Sequence, residues 1–168
     1  MTLIGLLSVT HGFIHPGMSG FFEKCDEIWH AGDIGDLATI RELEVFRPVR
    51  GVYGNIDGTD IRSRYPEVNI FDCEKVKVLM IHIGGYPGRY EKKAKDSIEE
   101  NNPNLFISGH SHILKVLRDK EYDLLHVNPG AAGNFGSHQF ITMVRFTIDG
   151  KEIKEFEIFE AKRNRNGY

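Results

Sequence analysis

Residues 27–57 read EIWHAGDIGDLATIRELEVFRPVRGVYGNID, and this stretch decides the fold. It opens on a short apolar run, Glu27 to His30, that ends in Ala-Gly-Asp. Asp36 then precedes LATIRELEVF, in which Leu37, Ile40 and Leu43 share one helical face and Asp36 is placed to cap the helix. A second apolar run, Val49 to Tyr53, closes on Gly-Asn-Ile-Asp. Strand, helix and strand in that order predict a parallel pair joined by a crossover helix.

The same grammar extends outward. Leu3 to Ser8, Val76 to His82 and Leu105 to Ser108 are further apolar runs of strand length, each ending in polar or glycine-rich residues. Runs this continuous suit strands covered on both faces. Tyr90 to Asn101 reads as a helix with a thin apolar stripe, Ala94 and Ile98, and Pro103 stops it. The last third predicts consecutive strands at Leu114–Arg118, Tyr122–Asn128, Phe140–Ile148 and Glu152–Phe159, with a tight Asp149-Gly150 turn between the last two. The expectation is an α/β fold of two packed mixed β-sheets flanked by helices, with the C-terminal strands forming a mostly antiparallel second sheet. One domain spans 1–168, and the polar, basic tail 161–168 is expected to fray.

The totals set the class. The chain has 168 residues, 40% apolar and 27% charged, enough for a sizeable core. A net charge of −3 gives no overall pull toward nucleic acid. Cys25 and Cys73 cannot build a disulfide framework and read as reduced thiols of a cytoplasmic protein. The N-terminal apolar run is too short to span a membrane and lacks a basic leader.

The chemistry lies at the ends of the predicted strands. His11 follows the first in SVTHG, Asp33 the second in HAGDIGD, and Asn55 the third in YGNID. His82 ends VKVLMIH, and His110 and His112 follow LFIS in GHSH. Carboxyl ends of parallel strands line one edge of a sheet, where open α/β folds bind ligands. Imidazole and carboxylate are good ligands for first-row divalent ions, and one carboxylate can bridge two of them. Each motif alone has a plain structural reading: an Asp after a strand is usually a helix cap, and Gly-Asn-Ile-Asp resembles a turn. Together, and in this order, they point to a metal centre.

That order, SxTHG, GDxxD, GNxD, His, GHSH and then Asn-Pro-Gly, resembles the calcineurin-like metallophosphoesterases. It is most similar to their small YfcE-type phosphodiesterase branch, and the resemblance runs from Leu3 to Phe146. It implies a hydrolase with two divalent ions: manganese first, with iron, zinc, nickel or magnesium as alternatives. His11, Asp33 and His112 would hold the first ion, and Asp33, Asn55, His82 and His110 the second. Asn55 would also touch the substrate phosphate, with His82 beside it, and Asp57 would orient a ligand or water. Asn128 matches a position near the site. The implied substrate is a small phosphodiester, or in second place a phosphomonoester. No membrane or nucleic-acid surface is expected. Small members of the family often pair, so a homodimer agrees with the resemblance.

Three departures stand out. The family's Asp-x-His reads Val9-Thr10-His11, so the first ion would lose an anionic ligand and bind weakly or not at all. The hydroxyls of Ser8 and Thr10 are poor substitutes and point to the opposite face of a strand. Ile56 stands where larger members carry a His that serves as general acid, which predicts a preference for acidic leaving groups. His82 is followed by IGGYPGR rather than a single Gly, and Arg89 at the end of that loop reads as a solvated surface residue. His30 and His126 read as structural; His15 and His138 sit in loops near the crevice, where lining the substrate pocket is the lesser of two readings. The rival reading is a catalytically impaired relative acting as a binding or scaffold module, as a retromer subunit of this family does.

Overall fold

The computed structural model describes residues 1–164. The elements are β1 (Thr2–Leu7), α1 (Met18–Phe22), β2 (Glu27–His30), α2 (Leu37–Phe46), β3 (Val49–Gly51), α3 (Thr59–Arg62), β4 (Val68–Cys73) and β5 (Val76–Ile81). They continue as β6 (Gly85–Tyr86), β7 (Arg89–Tyr90), α4 (Lys92–Asn101), β8 (Leu105–Ile107), β9 (Leu114–Asp119), β10 (Leu124–Pro129), β11 (Phe140–Asp149) and β12 (Glu152–Lys162). Two five-stranded mixed sheets result, ordered β12-β11-β1-β2-β3 and β4-β5-β8-β10-β9, with β6 and β7 as a small separate hairpin.

Alternation along the strands explains the layering. On β1, Ile4 and Leu6 face the other sheet, while Leu3 and Leu7 face α1 and α2. On β5, Val76, Val78 and Met80 face inward, and Leu79 and Ile81 pack on Ala94 and Ile98 of α4. Each sheet is therefore buried on both sides, which is why its strands read as unbroken apolar runs. Trp29 fills the space between the sheets, its ring edge-on to Phe71 at 5.0 Å and to Phe146 at 6.0 Å.

In the first sheet β1, β2 and β3 run parallel, and in the second β5, β8 and β10 do so. Their carboxyl ends carry the residues singled out above. β11 pairs antiparallel with β1, so it begins beside the end of β1. The 130–139 connection must therefore cross from the carboxyl edge of the second sheet to that of the first.

Three expectations are corrected. The C-terminal strands do not form a sheet of their own: β11 and β12 extend the first sheet, and β9 and β10 complete the second. Tyr90 belongs to β7, and α4 starts at Lys92. The tail is ordered as far as Lys162, because Ala161 and Lys162 pair with Ile141 and Phe140; residues 165–168 lie outside the described part. β4 escaped the sequence reading because it pairs only with β5 along its length and alternates half-buried with exposed residues. Cys25 and Cys73 are both unbridged. Among the described residues, no helix is long and apolar enough to cross a membrane.

Because Trp29 is wholly buried between the sheets, Trp29→Ala is expected to lower the unfolding free energy by about 3–5 kcal/mol. Urea denaturation followed by far-ultraviolet circular dichroism measures this.

Candidate metal centre

The loops after β1 and β2 are laced together beyond the sheet edge. His11 N–H donates to the Asp33 carbonyl at 3.1 Å, and Val9 N–H to the Gly32 carbonyl at 2.9 Å. Val9, His11, Asp33, His110 and His112 all adopt left-handed backbone, with φ of 55°, 46°, 58°, 67° and 60°. Such conformations cost about 1–3 kcal/mol each in non-glycine residues and gather at functional sites. Val9 is the most strained, since a β-branched side chain is the least suited to positive φ.

The polar contacts converge on Asp33. Its Oδ2 lies 3.2 Å from His82 Nε2 and 3.5 Å from His11 Nε2, while its Oδ1 accepts the Ile56 N–H at 3.1 Å. His82 Nδ1 donates to the Ala31 carbonyl at 2.7 Å, so Nε2 carries the lone pair. That lone pair faces Asp33 Oδ2 and also Asn55 Oδ1, 3.1 Å away. His110 Nδ1 stands 3.1 Å from the same Asn55 oxygen. His11 Nε2 is buried and, among the described residues, has no hydrogen-bond partner. Electron-rich atoms converging in this way repel unless a cation lies among them. Ligand atoms of Asp33, His82 and His110 all fall within 4.8 Å of one another, a set of donors that fits a divalent ion.

Charge states agree with this. Burial alone would raise the Asp33 carboxyl, but protonated His82, the Ile56 N–H and protonated His11 outweigh it and hold it below the usual range, and a cation in place of those protons would act in the same direction. Burial, then the neighbouring His138 and His11, lowers His112, which keeps its imidazole neutral and able to donate a lone pair.

Asp57 is buried and accepts three backbone N–H groups: Ile34 at 3.1 Å, Gly35 at 2.9 Å and Gly54 at 2.8 Å. It ties the Asp33 loop to the Asn55 loop. Gly54 completes the joint, because a Cβ there would stand 2.1 Å from Asp33 Oδ1. Asn128 is similar in kind, its Nδ2 donating to the Gly109 carbonyl at 2.9 Å behind the Gly-His-Ser-His loop.

The remaining histidines separate cleanly. His30 is fully buried; its Nε2 donates to Thr10 Oγ1 at 2.9 Å, and burial lowers its pKa to about 3. His126 is buried against Ser108 and Phe106, its pKa lowered to about 4. His15 packs on Phe13 and Phe159 and accepts the Gly17 N–H, a structural placement. His138 lies beside His112, with Nδ1 atoms 3.3 Å apart. The hydroxyls next to Val9 are spent on backbone: Thr10 donates to the Ile34 carbonyl and Ser8 to those of Ala31 and Gly32. Arg89 is exposed on the β6–β7 hairpin.

One feature had no sequence signal. A cleft of about 500 Å³ opens beside Asn55 and His82, lined also by Tyr53, Arg62, Lys92 and Lys93. Arg62 stacks on the Tyr53 ring at 4.4 Å and donates to the Asp57 carbonyl at 2.6 Å. These residues come from separate loops and short helices that share no motif.

A two-sheet sandwich with a His, Asp and Asn cluster at one edge defines a metallophosphoesterase-like fold. The model of the calcineurin-like phosphoesterase superfamily domain matches residues 2–151, and the chain belongs to that family. A probable metallophosphoesterase of Methanothermobacter thermautotrophicus is 31% identical over 134 residues, covering 77% of this chain and 76% of that protein. Among solved structures, Vps29 of Chaetomium thermophilum superposes with a TM-score of 0.79 at 16% identity, over 99% of this chain and 91% of that one. An archaeal phosphodiesterase does so with a TM-score of 0.74 at 21% identity, over 95% and 99%.

Removing the Asp57 carboxylate would strand three backbone donors. Asp57→Ala is therefore expected to cost about 3 kcal/mol or more, and thermal melts compared with the parent's check it.

Proposed function

We propose that the protein is a divalent-metal-dependent phosphoesterase that hydrolyses a small phosphodiester, and less readily a phosphomonoester, with water as the nucleophile. The observation that carries this reading is the Asp33 carboxylate oxygen lying between the buried Nε2 atoms of His11 and His82. His11, Asp33 and His112 would hold one ion, and Asp33, Asn55, His82 and His110 the other, with manganese the first choice. Such ions lower the pKa of a water toward neutrality and offset charge on phosphoryl oxygens.

The chain's own groups supply the rest. With its oxygen turned toward the two imidazoles, Asn55 has its Nδ2 free to donate to a phosphate oxygen. The Ala31 carbonyl fixes the His82 ring by holding its Nδ1 proton. The cleft beside them has room for one arm of a diester; Glu67 and Glu91 line it along with Arg62, Lys92 and Lys93, and Lys92 and Lys93 are paired with Asp96 and Glu67, so the phosphate charge would fall to the ions and Arg62. Ile56 is 44% exposed and has no proton to give, which favours substrates with acidic leaving groups.

A second reading, a module acting through protein contacts, is favoured by one residue. Val9 is wholly buried where the family places a carboxylate, and it cannot coordinate a cation. Against it stands the strained, hydrogen-bonded loop set around Asp33, which a scaffold has no physical reason to maintain.

Bis(4-nitrophenyl) phosphate with added Mn²⁺ is expected to be turned over, and a chelator to abolish the reaction. Absence of turnover with every divalent ion tried would remove this function. Val9→Asp is expected to raise Mn²⁺ affinity and turnover on the order of tenfold or more, read by calorimetry and initial rates. Indifference to that substitution would show that position 9 does not limit the site.

A further inference from the structure

Val9 offers the proposed first ion no side-chain donor, and the 133–138 segment lies against its backbone. Gly133 N–H donates to the Val9 carbonyl at 2.9 Å. The Gly133 carbonyl in turn lies 2.8 Å from His138 Nε2 and accepts its proton. His138 is thus hung, through one residue, from the backbone of the position that lacks its carboxylate. With Nε2 protonated, His138 Nδ1 carries the lone pair, and it points to His112 Nδ1 across 3.3 Å.

Two imidazole nitrogens on one tetrahedral ion, each about 2.0–2.1 Å from it, stand about 3.3–3.4 Å apart. The observed separation matches that bite. His138 shares one feature with His82: one ring nitrogen is anchored on a backbone carbonyl, while the other faces a neighbouring side chain, here His112. Ligating histidines are held in this way, since the outer bond fixes both tautomer and ring direction.

The gap between the two rings is kept open by Gly136. A Cβ at that residue would lie 2.7 Å from His112 Nδ1 and 2.9 Å from His138 Nδ1. Its φ of +134° also excludes ordinary side chains. The adjacent Phe135 stacks on His11, the other imidazole assigned to this ion, with ring centroids 5.4 Å apart. The 133–138 segment therefore touches Val9, His11 and His112 together.

We infer that His138 is a ligand of the first metal ion, replacing with a neutral imidazole the carboxylate lost at position 9. This rests on the two-metal reading above and extends it. The ion so held would carry one more positive charge than in relatives with Asp at this place. It would favour borderline ions that accept nitrogen ligands, zinc above all, over magnesium.

Calorimetric titration of the metal-free protein with Zn²⁺ tests the assignment. The parent is expected to bind two ions and His138→Gln one, with the circular dichroism melt of His138→Gln confirming that it folds. The double variant Val9→Asp with His138→Gln is expected to regain the second ion, because a carboxylate at position 9 fills the vacant coordination place. A purely orienting role for His138 would not be rescued in this way. Two ions in His138→Gln with the parent's affinity, one or none in the parent, or failure of that rescue would each overturn the inference. The unsubstituted protein gives an independent reading. In protein labelled with ¹⁵N-histidine, Zn²⁺ should move the His138 Nδ1 resonance from the free to the metal-bound range, and an unmoved resonance contradicts the proposal. Two bound ions without hydrolysis would remove the enzymatic reading and leave His138 in place. Hydrolysis with His138→Gln still binding two ions would do the reverse.

Discussion

The structure turns on the carboxylate of Asp33, a buried anion held within 3.5 Å of two imidazole nitrogens that arrive from different sheets. Burying a carboxylate is costly unless it is paired or bonded. Here the Ile56 N–H meets part of that cost, and a cation set between the carboxylate and the facing His82 and His11 nitrogens would meet the rest. The bond to Ile56 and the absence of a side chain at Gly54 bring the third loop against the second. Asp57 fixes that contact from behind with three backbone bonds. The site is thus over-determined by its supports, and this is what allows five non-glycine residues to stay in left-handed backbone.

The two sheets act as a delivery system. Each contributes three parallel strands, β1, β2 and β3 in one and β5, β8 and β10 in the other, and their carboxyl ends meet at one edge. The core between them, centred on Trp29, sets the separation of the two loop groups. A shift of one sheet against the other would move His82 and His110 relative to His11 and Asp33. Burial also sorts the histidines: His30 and His126 sit deep enough to stay neutral and bonded, leaving the rings nearer the edge for chemistry.

Much of this is legible in residue order. Asp36 caps α2 through Thr39 N–H as its position before LATIRELEVF foretells, and the apolar runs become the doubly covered strands. His11, Asp33, Asn55, His82 and His110 follow strand ends, and parallel topology converts that into proximity. What residue order does not carry is pairing between distant strands. It cannot tell that β11 lies beside β1, and so it missed that the C-terminal strands divide between the sheets. The same gap concealed the path of the 130–139 segment, which makes His138 a neighbour of His112, and the separate origins of Arg62, Lys92 and Lys93 in the cleft. His15 is near His11 in sequence, yet its ring packs on Phe159, a long-range contact with a residue of β12 that residue order does not carry.

On the proposed function, loops from both sheets would hold two cations around one shared carboxylate, Asp33. Anomalous diffraction from a crystal soaked in Mn²⁺ addresses it most directly. Two peaks about 3.5–4 Å apart are expected to flank Asp33, one toward His11 and His112 and the other toward Asn55, His82 and His110. A map with no peak beside Asp33, at a Mn²⁺ concentration that loads other sites on the protein, would contradict it.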